Sequence, residues 1–183
     1  LFHVGILFLL LGHTVGLLTP EFFYTKVMTA QQKQMLAIIA GGIAGTMCFI
    51  GLTMLLHRRL LDSRIRQTST YMDLAILIIL WVQLSLGLIT LPYSLSHETP
   101  VVMQTLAHWA QGILTVQPIY AKTLQGLDWP YLVHLVLGMT LFLVFPFPRL
   151  VHIWSAPVWY LGRRGYQVVR SRDGSLRPIQ PAE

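Results

Sequence analysis

Polar residues gather in clusters along this chain, and the stretches between the clusters hold almost none. Apolar runs cover 1–18, 36–56, 74–91 and 131–148, each close to the roughly 20 residues an α-helix needs to cross a hydrocarbon core. The pattern predicts an all-α membrane protein, a transmembrane helix bundle with four spans, packed helix against helix in lipid. Between the third and fourth runs, Val102, Leu106, Trp109, Ile113 and Val116 recur at steps of 4, 3, 4 and 3, while Gln104, His108, Gln111 and Thr115 hold the opposite side. That spacing predicts an amphipathic helix lying at the membrane surface, with His108 on its wet face. Thr70 followed by Asp73 has the spacing of a capping box that opens the third span.

Composition agrees: 54% of residues are hydrophobic and only 11% are charged, a balance few water-soluble domains show. One domain accounts for 183 residues, divided into a membrane part, 1–157, and a basic tail, 158–183. Leu1, Phe2 and His3 open the chain with no initiator methionine, charged leader or small-residue cleavage site, so 1–18 does not read as a signal peptide. The sequence starts like a fragment, with a further N-terminal span expected upstream.

Charge sets the orientation. Arg58, Arg59, Arg64 and Arg66 lie between the second and third spans, and Arg149, Arg163, Arg164, Arg170, Arg172 and Arg177 follow the fourth; the opposite loops carry only Lys26, Lys33 and Lys122. The arginine-rich side is therefore cytoplasmic and the C-terminus lies inside a multi-pass cytoplasmic (inner) membrane protein. The net charge of +6 is first a topology signal, with anionic lipid or an acidic partner as secondary uses. It does not argue for nucleic acid.

Candidate chemistry lies in the histidines. His3 and His13 share the first span, and His134 and His152 belong to the last; ionisable groups at membrane depth are costly and mark cofactors, proton paths or substrate routes. With the spans antiparallel, depth pairs His13 with His134 toward the outer face and His3 with His152 toward the inner one. His134 and His152 stand 18 residues apart, five turns and about 27 Å along one helix face. His3 and His13 stand 10 apart, about 15 Å of rise and roughly 80° off a common face. The mismatch requires tilted or kinked helices, and Pro146 and Pro148 supply a cause.

A lone membrane histidine can simply hydrogen-bond a neighbouring helix, but two depth-matched pairs argue for metal. Pairs about 15 Å or more apart cannot share one zinc ion. Heme iron with two axial nitrogens fits better. No C-x-x-C-H motif is present and the lone Cys48 lies within the second span, so the heme would be non-covalent, b-type, with Cys48 as packing. His57 opens the His57-Arg58-Arg59 cluster at a helix end and reads as interfacial, and His97 lies in the outer loop. Gly12, Gly16, Gly41, Gly42 and Gly45 suit close helix packing, or a flat macrocycle laid beside a helix.

The stretches Leu1-Phe-His-Val-Gly-Ile-Leu, Gly12-His13, Leu18-Thr19-Pro20, Ala40-Gly-Gly, His134-Leu-Val-Leu-Gly-Met-Thr-Leu-Phe-Leu and Phe145-Pro-Phe-Pro-Arg-Leu-Val-His-Ile-Trp-Ser-Ala-Pro-Val together resemble the gamma subunit of respiratory nitrate reductase, a diheme cytochrome b that anchors its enzyme. The resemblance spans nearly the whole chain and fades in the outer loop after Pro92 and in the tail after Arg172. It implies two b hemes, the outer one held by His13 and His134 and the inner one by His3 and His152. It also implies oxidation of a membrane quinol, menaquinol or ubiquinol, near the outer heme. Electrons would then pass inward to an iron-sulfur beta subunit and on to a molybdenum alpha subunit, where nitrate is reduced.

Lys33 matches a lysine of the family's quinol site. An ammonium at the outer interface can donate to a quinone carbonyl, and an interfacial lysine can also simply snorkel. Gly12, beside His13, would leave room for that site. Arg149, with the cluster from Arg58 to Arg66, is a candidate for heme propionates or for the docking face. The family has one more span before the segment that opens this chain. A diheme anchor of a sulfur-metabolism or heterodisulfide-type reductase would share these features and differ in the tail. A heme-free anchor or transporter that moves protons through the histidines would lack a Soret band.

Overall fold

The computed structural model describes residues 1–96, 99–117 and 121–147, and all the secondary structure among them is helical. His97, Arg149, His152 and the basic tail lie outside the described residues. The first helix, α1 (Phe2–Leu18), is followed by a single turn, α2 (Glu21–Tyr24), and then by α3 (Ala30–Leu61). Next come a short α4 (Ser63–Gln67), α5 (Tyr71–Ser96), α6 (Val101–Leu114), a 3-10 turn (Ala121–Leu124) and α7 (Trp129–Val144). Two of these, α3 with 32 residues and α5 with 26, are long and apolar enough to cross a membrane; α1 and α7 are apolar but shorter.

The long helices outrun the predicted spans at both ends, for reasons their termini show. α3 begins at Ala30, well before 36, because Thr29 and Gln32 close a capping box: the Gln32 N–H donates to Thr29 Oγ1 at 3.2 Å and the Thr29 N–H to Gln32 Oε1 at 2.8 Å. It ends at Leu61 with Arg58 and Arg59 in its last turn, where cations oppose the negative end of the helix dipole. At about 48 Å, it exceeds the ~30 Å hydrocarbon core. α5 opens at the expected box, with the Asp73 N–H donating to Thr70 Oγ1 and the Thr70 N–H to Asp73 Oδ2.

At its far end α5 runs past Pro92, which the span 74–91 had excluded. Its last turn is held from outside: the Ser94 carbonyl accepts from Gln34 Nε2 at 2.8 Å, and Ser94 Oγ lies 2.8 Å from the Tyr131 hydroxyl. α7 stops at Val144, short of 148, because Pro146 has no N–H to offer the Phe142 carbonyl.

Packing runs in chain order, α1 on α3, α3 on α5 and α5 on α7, with α6 laid against α1. Glycines set the closest crossings. A Cβ on Gly5 would meet the Cys48 backbone at 2.8 Å, and one on Gly51 would meet the Phe2 nitrogen at 2.5 Å. Only glycine fits either place, and both contacts join α1 to α3. Gly45 and Gly42 face Leu88 and Leu91 of α5, as close-packing residues should. Gly12, Gly16 and Gly41 do not pack: nothing stands within 4 Å of where a Cβ would lie. Cys48 is fully buried at the α1 crossing, in the packing role expected of it.

One sequence expectation needs correction. The polar side of α6 is not simply turned to water. Gln111 Nε2 donates to the Leu17 carbonyl at 2.9 Å, and Gln104 Nε2 donates to Glu21 Oε1 at 3.3 Å. The last carbonyls of α1 lack intrahelical partners, and an amide from α6 satisfies one of them. His108 remains exposed and stands 3.9 Å from Glu21 Oε2. Val116 falls outside the helix with φ +55°, a left-handed turn that ends the periodic pattern.

Candidate functional site

His13 on α1 and His134 on α7 come together, although their helices form no packed seam comparable to the others. Their ring centroids are 6.2 Å apart and their planes are inclined by 36°. Each ring has one nitrogen on a backbone carbonyl: Nδ1 of His13 on Leu9 at 2.8 Å, in its own helix, and Nδ1 of His134 on Gln83 of α5 at 3.1 Å. A carbonyl only accepts, so Nδ1 must carry the proton in both rings. In the neutral ring that places the lone pair on Nε2, the form in which imidazole binds a metal.

α5 shapes the seat of His134. A Cβ on Gly87 would come within 3.0 Å of His134 Cε1, so the missing side chain lets the ring lie against the helix. Gln83 Nε2 donates to the His134 carbonyl at 3.0 Å and stands 3.5 Å from His134 Nε2. Sequence reasoning passed over both residues. A signal for Gln83 existed, since it is the lone amide within the run 74–91 and polar groups at that depth are seldom idle.

Gly12, next to His13, faces open space, and so does Gly16 one turn on. Among the described residues no group of three or more His, Cys, Asp or Glu side chains could hold a metal ion. His13 and His134 are the two imidazoles, from separate helices, that stand close together.

His3 lies elsewhere, on an open, mostly apolar groove of about 720 Å³ whose lining includes Gly51, Thr53, Met54, His57 and Arg58. His57 and Arg58, assigned from sequence to the helix end, thus share a wall with His3. Lys33 is buried, with Nζ 3.9 Å above the Tyr24 ring. A freely snorkelling lysine would be exposed, and this one is tucked under an aromatic cover at the α2–α3 corner.

These features define a class: an apolar helical bundle of membrane type that brings two imidazoles from separate helices close together. The family is shown by comparison. Residues 1–172 match the model of the nitrate reductase gamma subunit family. The chain is 47% identical to the respiratory nitrate reductase 1 gamma chain of Escherichia coli strain K12 over 172 residues, 94% of this chain and 76% of that one. It is 34% identical to the nitrate reductase gamma chain of Bacillus subtilis strain 168 over 174 residues, 94% of this chain and 77% of that one. The chain belongs to the nitrate reductase gamma subunit family. It is accordingly a membrane protein and a subunit of an oxidoreductase complex that includes the other nitrate reductase subunits.

Proposed function

We propose that this chain is a diheme cytochrome b that oxidises membrane quinol at the outer side and delivers electrons to a cytoplasmic iron-sulfur subunit, for nitrate reduction in a molybdenum subunit. The observation that carries this reading is the His13–His134 pair. The two rings come from separate helices with centroids 6.2 Å apart, so His13 and His134 would be the two protein donors to one heme. Both Nδ1 protons rest on carbonyls, which orients each ring and leaves Nε2 as the donor atom of the neutral imidazole. The unpacked strip at Gly12 and Gly16 has room for a flat ring system beside α1.

His13 and His134 would hold the outer heme and His3 and His152 the inner one, with Arg58 on the His3 groove and Arg149 as partners for propionates. Bound there, b heme would supply reversible one-electron chemistry. Lys33 would bind quinol, donating from its buried ammonium to a quinone oxygen, with Gly12 giving the ring access near His13. In this reading α1, α3, α5 and α7 all belong to membrane spans, and the C-terminus is cytoplasmic.

The test is a dithionite-reduced minus oxidised spectrum with pyridine hemochrome quantification on the full chain in detergent, wild type beside His134→Ala and His152→Ala. Two b hemes falling to one in each variant is the expected result. A folded wild-type chain without heme, under adequate heme supply, overturns the reading.

A further inference from the structure

We infer that Gln83 is a positioning residue for His134: its side-chain amide latches the backbone of α7 so that its own carbonyl can hold the His134 ring. The inference rests on the heme reading and goes beyond it, to a residue on a helix that carries no ligand. Three contacts converge on one pair of residues. The Gln83 carbonyl accepts from His134 Nδ1 at 3.1 Å, its amide Nε2 donates to the His134 carbonyl at 3.0 Å, and the same amide nitrogen lies 3.5 Å from His134 Nε2.

The orientation of the amide is decided by its partner. Turned over, the amide would set oxygen against the His134 carbonyl oxygen, two acceptors facing each other. As it stands, Nε2 donates and Oε1 is buried without a hydrogen-bond partner among the described residues. Leaving an acceptor buried and unmatched is costly, a cost that only a constrained side chain retains. Gly138, one turn along α7 from His134, lets the amide in: a Cβ there would stand 3.1 Å from Gln83 Nε2. Gly87 completes the seat by admitting the ring itself.

The two bonds act together. The amide ties α7 to α5 at the level of His134, and that register holds the Gln83 carbonyl against Nδ1. A carbonyl on Nδ1–H makes the imidazole a stronger donor through Nε2 and stabilises the oxidised metal. The 3.5 Å approach of the amide to Nε2 is too long for a firm hydrogen bond, so it does not compete for the lone pair. Without the latch, α7 can slip, the Nδ1 bond lengthens, and the ligand becomes a weaker donor.

The experiment is a potentiometric titration with low-temperature EPR on the full heme-loaded chain, comparing wild type, Gln83→Leu, Gln83→Asn and His134→Ala. His134→Ala identifies the signal of the heme that His134 holds. Gln83→Leu removes the latch at nearly constant volume; Gln83→Asn keeps the amide but withdraws it by one methylene. The expected result is an upward shift in the midpoint potential of the His134 heme and a moved low-spin EPR signal, with the second heme unchanged as an internal control of folding. Gln83→Asn should show the same change in smaller measure, and it decides the matter if Gln83→Leu loses both hemes. Wild-type signals at both hemes in the deciding variant overturn the inference and leave the heme reading intact. So does an equal shift at both, or a shift confined to the heme that survives in His134→Ala. A wild-type chain without heme instead removes the reading beneath it.

Discussion

Lys33 shows how much one side chain's surroundings change its meaning. Its position in the sequence, at the interface before a long apolar run, suits a lysine that stretches to water. In the fold it is buried with its ammonium over Tyr24, and a buried cation is kept only where something uses or compensates it. If it holds quinol, Lys33→Ala removes one charge-assisted hydrogen bond, ordinarily about 1.5–3 kcal/mol. kcat/KM for quinol should then fall about 10- to 100-fold, with both heme spectra unaltered. Unchanged steady-state kinetics in that variant would return Lys33 to a purely structural role. His13 and His134 illustrate the opposite case, since their residue type was informative from the start. The tautomer of His134 was not, because the Gln83 carbonyl lies 51 residues away in the chain and no periodicity connects them.

At the scale of elements, termini and crossings decide more than propensity does. The capping box at Thr70 and Asp73 follows from spacing alone, as do the centres of α1, α3, α5 and α7. Crossings do not. Gly12 and Gly16 looked like packing residues from their spacing, yet the α1–α3 contact is made by Gly5 and Gly51. Which glycine faces a neighbour depends on the rotation of each helix about its axis. Gly5→Val should therefore destabilise the α1–α3 pair by about 1–3 kcal/mol, the usual cost of forcing volume into a closed contact, as read by denaturant titration in micelles. Gly12→Ala should be near neutral in the same assay.

The docking of α6 makes a second prediction at this scale. Gln111→Leu leaves the Leu17 carbonyl without its donor and loosens α6 from α1 by about 0.5–1.5 kcal/mol. Amide exchange across Val101–Leu114 should quicken about 2- to 10-fold, with α3 and α5 unaffected. Equal exchange in both proteins would show that α6 is held by its apolar side alone.

For the whole molecule, the arginine bias makes a global prediction from local composition. Reporter fusions to the full chain should be active as cytoplasmic fluorescent protein when joined after the C-terminus. They should be active as exported phosphatase when joined in the loop after Thr115. The reverse pattern would invert the electron path proposed for the complex. The order of packing, α1 to α3 to α5 to α7, leaves the first and last helices to meet through histidines instead of a packed seam. If the chain holds heme as proposed, heme-depleted protein should unfold at lower denaturant than loaded protein, as any ligand that binds only the folded state requires.

Helical class, the approximate course of the apolar segments, the charge asymmetry and the histidines worth attention are all local properties, set by runs and spacings within one stretch of chain. The family, too, was legible in short motifs around those histidines. What depends on rotation and register between helices was decided by the tertiary structure alone. It brought Gln83 and Gly87 to His134, turned Gly12 to open space, buried Lys33 beneath Tyr24, and set the polar side of α6 against the end of α1. Each depends on how a helix is turned or laid against its surroundings, and a one-dimensional pattern holds no information about which face of a helix its neighbour will cover.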